Sequence, residues 1–110
     1  ILHMAKKTLP KKVTTEVKSY LQILKNDGFN VQSAIVFGSS ATGKATAWSD
    51  IDVCIISNDL KKKKWPLEYL WVKTAQLKKN RIEPVGFTTK DFIDESPLVW
   101  EIKKTGISVQ

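Results

Sequence analysis

In 110 residues the chain has one cysteine, one histidine and one arginine. The single cysteine, Cys54, excludes an internal disulfide and fits a reducing compartment. One cysteine and one histidine cannot build a zinc site either. No stretch approaches the roughly eighteen consecutive apolar residues of a membrane span, and no leader pattern opens the chain. A soluble cytoplasmic protein with no membrane contact is the expectation. Arginine is scarce although the chain is basic, with net charge +7 and pI ≈ 9.6. Nearly all of that charge is lysine, whereas reading of bases and phosphates tends to use arginine's planar fork. The charge implies an anionic partner (nucleotide, nucleic acid or an acidic protein face), and a lysine excess also serves solubility. Linkers, internal repeats and low-complexity segments are absent.

What is present is ordinary globular composition, 42% hydrophobic and 26% charged. That length supports one domain. Residues 1–12 read as a flexible N-terminal segment, with Ile1-Leu2-His3 ahead of a candidate start at Met4 and His3 as an end residue. Residues 13–110 read as a single domain.

Val13, Val17, Tyr20, Leu21 and Leu24 recur at helical spacing, with Thr14 or Thr15 as cap and Gly28 as a left-handed stop. Phe29 to Ser40 is expected to hold a first strand and its turn, and Asp50 to Ser57 a second strand. On that second strand Ile51, Val53 and Ile55 face one side, and Asp50, Asp52 and Cys54 the other. Cys54 reads as a small buried hydrophobe, since no histidine is available to activate it. Lys61 to Lys64 reads as a solvated helix entry. Pro66 then opens a helix whose buried stripe is Leu67, Leu70, Trp71, Thr74 and Leu77, closed by Lys78-Lys79-Asn80. Arg81 to Phe87 is a third strand, at an edge because Pro84 lacks a ladder donor. Thr88 or Thr89 is expected to cap a short helix. Pro97 to Thr105 is a last helix with Leu98 and Ile102 buried together and Trp100 off that line, and Ile107 to Val109 a final short strand.

The chemistry concentrates between Val36 and Ile56. Gly38 and Ser39 have little or no side chain, so their backbone N–H groups can approach a phosphate. Asp50 and Asp52 share one strand face about 7 Å apart at Cα. Two carboxylates that close do not both stay ionised without a cation, and hard oxygen ligands suit Mg²⁺. Gly38-x-x-x-x-Gly43-Lys44 imitates a P-loop, but Ala45 stands where Ser or Thr is needed and a strand follows where a helix should. Lys44 reads equally as a phosphate contact or a solvated loop lysine. Trp48 reads as a base-stacking residue or as one packed onto the domain.

Gly38-Ser39, Ala41, Gly43 and Ser49-Asp50-Ile51-Asp52 together resemble the signature of the minimal nucleotidyltransferase family, within the polymerase-β-like superfamily. The likeness runs from about Val13 to the end of the chain. It implies an α+β, two-layer fold: a small mixed sheet with helices packed on one face. It implies an enzyme that moves a nucleoside monophosphate, AMP from ATP or that of another nucleoside triphosphate, to an acceptor hydroxyl with two Mg²⁺ ions. Asp50 and Asp52 would hold the metal, with Glu83 as a third carboxylate and metal ligand that helps deprotonate the acceptor. Gly38, Ser39, Ser40, Lys44 and Ser49 would hold the nucleotide. Ser40 and Thr42 depart from the family, which often carries arginine there. Members are commonly paired with a HEPN-domain protein as a toxin–antitoxin system, so such a partner is implied; a homodimer stays open. Two alternatives keep the fold: an inactive binding or antitoxin module, and a lysine-rich nucleic-acid binder.

Overall fold

A computed structural model describes residues 8–109. His3, Met4 and most of the expected N-terminal segment lie outside the described residues. Helix α1 (Lys11–Asn26) begins ahead of both expected caps: its N-cap is Pro10, with no side-chain cap from Thr14 or Thr15. Val13, Val17, Tyr20 and Leu24 form its buried stripe. At its end Gly28 takes φ 76°. The Gly28 N–H donates to the Lys25 carbonyl and the Phe29 N–H to that of Leu24, the paired closing bonds of a Schellman stop.

The remaining elements are β1 (Ser33–Phe37), α2 (Ser39–Thr42), β2 (Ile51–Ile56), a 3-10 segment Asn58–Lys62, α3 (Pro66–Thr74), β3 (Ile82–Phe87), α4 (Pro97–Thr105) and β4 (Ile107–Val109). The four strands form one mixed sheet in the order β3-β2-β1-β4. β1 runs antiparallel to β2 and to β4, while β2 and β3 are parallel and joined through α3. Pro84 therefore sits on an edge strand, as its missing N–H requires.

Alternation along the strands separates two apolar clusters. Ala34, Val36, Ile51, Val53, Ile55 and Ile82 pack with α1 and α3 residues Val17, Tyr20, Leu24 and Leu70. The Tyr20 hydroxyl donates to the Leu70 carbonyl at 2.7 Å, tying the two helices together in the buried layer. On the opposite face Phe37, Cys54 and Ile56 pack against Ile102 of α4. The two-layer α+β arrangement thus stands for α1 and α3, with α4 added on the other face. Burial pushes the Cys54 thiol up to about 12, in keeping with a core role.

Three local expectations are corrected. In α3 only Leu70 and Thr74 are buried; Leu67 and Trp71 are exposed, and the helix ends at Thr74, ahead of Lys78-Lys79-Asn80. Apolar residues occupy both sides of this helix, so spacing alone could not tell its inner stripe from its outer one. Thr88 caps no helix: its hydroxyl donates to Asp91 Oδ2 and accepts from the Asp91 N–H, closing a single turn. In α4, Val99 and Ile102 are the buried pair, and Leu98 lies largely outside.

Candidate active site

The site is built where β1 ends and β2 begins. The strand stops at Phe37 because Gly38 turns to φ 71° and ψ −149°, a combination open to glycine. Ser39–Thr42 then form one helical turn, α2. The Ala41 and Thr42 N–H groups donate to the Gly38 carbonyl. Those of Ser39 and Ser40 open the turn, where no carbonyl one turn back can meet them. Gly43 in the left-handed region ends it, and the Lys44 N–H donates to the Ser39 carbonyl.

Antiparallel pairing sets Asp52 opposite Phe37, and parallel pairing sets Glu83 opposite Asp52. One row across the sheet therefore reads Phe37, Asp52, Glu83. Asp52 projects onto the turn: a Cβ at Gly38 would run into Asp52 Oδ2 and lie 3.3 Å from its Cγ. Glycine is thus required twice at position 38, by its φ and by the carboxylate against its Cα. Asp50 is exposed just ahead of β2 and shares a hydrogen bond with the Glu83 carboxyl.

Electrostatics follow from that crowding. The hydrogen bond to Asp50, loss of solvent and the charges of Asp50 and Asp52 hold Glu83 above the usual carboxylate range. Desolvation, with the charges of Asp50 and of Glu101 on α4, raises Asp52 as well. Among the described residues no three His, Cys, Asp or Glu side chains are grouped as a preformed metal cage. The donor set is nonetheless all carboxylate oxygen, the chemistry that suits a hard divalent cation, and its mutual repulsion is what such a cation relieves.

The other expected nucleotide contacts diverge. Ser39 is half-buried at the turn, while Ser40 is buried at 6% exposure. Lys44 is exposed. The Ser49 hydroxyl accepts from the Thr46 N–H at 2.9 Å and so shapes the spacer turn. Thr42 Oγ1 donates back to the Gly38 carbonyl.

Sequence reasoning missed two features. Arg81 Nη1 donates to the Ala47 carbonyl at 3.2 Å, and Nη2 to Glu16 Oε2 at 2.7 Å, so α1 braces the spacer through an ion pair between residues 65 positions apart. Its only sequence signal was a lone arginine among lysines, two positions before Glu83. Glu101 near Asp52 had no such signal, because it depends on α4 lying over this face.

A glycine-serine turn facing crowded carboxylates on an adjacent strand, in a small mixed α+β sheet, defines a nucleotidyltransferase-type domain. The nucleotidyltransferase domain family model matches residues 16–106, and the chain belongs to that family. The resemblance read from the motif is thereby borne out at the level of the domain. No curated protein sequence matches the chain. Among solved structures, the fold is similar to that of a Sulfolobus solfataricus protein provisionally assigned as a nucleotidyltransferase, with TM-score 0.61 and 13% identity over 88% of this chain and 78% of that one.

Proposed function

We propose that this domain transfers a nucleoside monophosphate, AMP from ATP, to an acceptor hydroxyl in a reaction that needs Mg²⁺. The observation that carries the reading is the Asp52 carboxylate lodged against the Gly38 turn with the Asp50–Glu83 pair beside it. Asp50, Asp52 and Glu83 are the residues that would hold the metal, and when bound it supplies positive charge to the transferring phosphate and its leaving group. The chain's own part is positioning. The N–H groups of Ser39 and Ser40 and the Ser39 hydroxyl hold the triphosphate's anionic oxygens. Glu83, held above the usual carboxylate range, takes the proton of the acceptor hydroxyl. The acceptor oxygen then forms its bond to the α-phosphorus as the α–β bridging bond breaks, and pyrophosphate leaves with that electron pair. Incubation with labelled ATP, Mg²⁺ and candidate acceptors tests this; label transfer that survives Asp52→Asn ends it.

The acceptor is proposed to come from a HEPN-type partner protein, with this chain as the antitoxin half of the pair. Support comes from the net charge of +7 and the exposed apolar side of α3, Trp65, Leu67, Trp71 and Val72. A second reading, a binding module with little turnover, is favoured by Ser40 and Thr42. One is buried and the other is bonded to Gly38, so neither replaces the cations that hold a triphosphate in relatives. Calorimetric titration of ATP with and without Mg²⁺ separates the two, since absence of metal-dependent binding supports the module. A lysine-rich nucleic-acid binder would instead show a steep salt dependence on nonspecific DNA.

A further inference from the structure

Trp48 is 92% exposed, against 63% for Trp65, 55% for Trp100 and 43% for Trp71. Of the two roles its sequence position allowed, packing onto the domain is removed by that exposure. Its turn is nevertheless firmly built. The Thr46 N–H donates to Ser49 Oγ at 2.9 Å, the Ser49 N–H to the Thr46 carbonyl at 3.2 Å, and the Trp48 N–H to Thr46 Oγ1 at 3.3 Å. Arg81 clamps the same turn through the Ala47 carbonyl and is itself gripped by Glu16.

That clamp comes at a cost. Among the described residues Glu16 Oε1 and Arg81 Nε are buried with no partner, and unpaired buried polar atoms are destabilising. A braced turn that holds an unpacked indole in water gains nothing for the fold by doing so. It does preorganise a flat apolar surface for a ligand. Trp48 lies two positions before Asp50, at most about 7 Å of backbone, so a nucleoside whose α-phosphate lies at the carboxylates has its ring within reach.

We infer that Trp48 is the stacking platform for the nucleobase of the donor triphosphate, held in place by the Glu16–Arg81 brace. The inference rests on the proposed transfer reaction and goes beyond it by naming a base contact. Stacking uses the π-face that every base has, so the contact supplies affinity without selecting adenine.

The test uses a chain with Trp65, Trp71 and Trp100 replaced by phenylalanine, leaving Trp48 as the sole indole. It is titrated in Mg²⁺ with ATP, GTP, CTP, UTP and inorganic tripolyphosphate. Each nucleotide is expected to quench the fluorescence, and tripolyphosphate to leave it unchanged. In the native background Trp48→Ala is expected to weaken nucleotide binding roughly 10- to 100-fold by calorimetry, the range that loss of one stacked base predicts. Tripolyphosphate affinity should not move, and Trp48→Phe should retain most of the nucleotide affinity. Glu16→Gln should lower the fluorescence anisotropy of the sole tryptophan, with tripolyphosphate binding intact. ATP binding unaltered in Trp48→Ala overturns the stacking role and leaves the transfer reading standing. Loss of all binding in the native chain, tripolyphosphate included, overturns both.

Discussion

Asp52 and Gly38 are in contact, yet their substitutions should move stability in opposite directions. Gly38→Ala puts a methyl group into the Asp52 carboxylate at a φ that alanine resists, so a loss of about 1–3 kcal/mol is expected by urea denaturation, with activity lost as well. Asp52→Asn removes a charge that desolvation and its neighbours disfavour. A carboxyl raised in the folded state holds its proton more tightly there than in the unfolded chain. Its stabilising contribution is present below the ordinary value of 3.8 and is lost as pH rises through the folded value. At neutral pH without metal, Asp52→Asn should therefore raise Tm while abolishing transfer. A lower Tm for that variant would contradict the crowding described here. Glu83 follows the same sign from its ordinary 4.5, so wild-type Tm should fall relative to Glu83→Gln as pH rises above that value. If Glu83 is the base, kcat should climb over the same rise, because only the ionised form accepts the proton.

At the scale of elements the scaffold and the site separate. Tyr20→Phe deletes the one hydroxyl that ties α1 to the Leu70 carbonyl of α3, leaving that acceptor buried. The expected loss is about 1–2 kcal/mol in urea denaturation with transfer unchanged; a large fall in kcat would mean that the α1–α3 layer reaches the carboxylates. Much of this scaffold was legible in the chain. Short β-branched runs ended by Gly38 and Asn58 marked β1 and β2, Pro84 marked an edge, and Pro97 with Gly106 bounded α4 to the residue. Gly106 ends its helix by close approach, since a Cβ there would meet the Ile102 carbonyl and Ile35, and its φ of −71° is not the left-handed value. Periodicity failed where it had two answers. Leu67 and Trp71 repeat at four residues as faithfully as Leu70 and Thr74, and only the position of the sheet decides which pair is inside. The candidate site was legible as far as Gly38, Asp50 and Asp52, because a strand and a turn that follow each other closely fix their geometry locally. Glu83's contact with Asp50 needed the parallel register of β2 and β3. The Glu16–Arg81 brace needed the packing of α1 beside the spacer, which no local pattern encodes.

Over the whole molecule, charge and exposed apolar surface are arranged together on the side of α3. Trp65, Leu67, Trp71 and Val72 are uncovered, Lys61 to Lys64 precede them, and Lys78 and Lys79 follow. A second copy would bring the same lysines against each other. An acidic partner would neutralise them and cover the apolar centre. For the proposed HEPN-type partner this makes a joint expectation. The complex should form faster at low salt, its on-rate falling several-fold between 50 and 300 mM NaCl, because separated surface charges are screened beyond about 10 Å at 0.1 M. Trp71→Ser with Val72→Ser should dissolve the complex on size-exclusion chromatography, since exposed residues there contribute only when a partner buries them. Asp52→Asn should leave it assembled, because the carboxylates and α3 pack on opposite faces of the sheet. A complex that survives the α3 double substitution, or that forms at a salt-independent rate, places the partner elsewhere and leaves the nucleotide chemistry untouched.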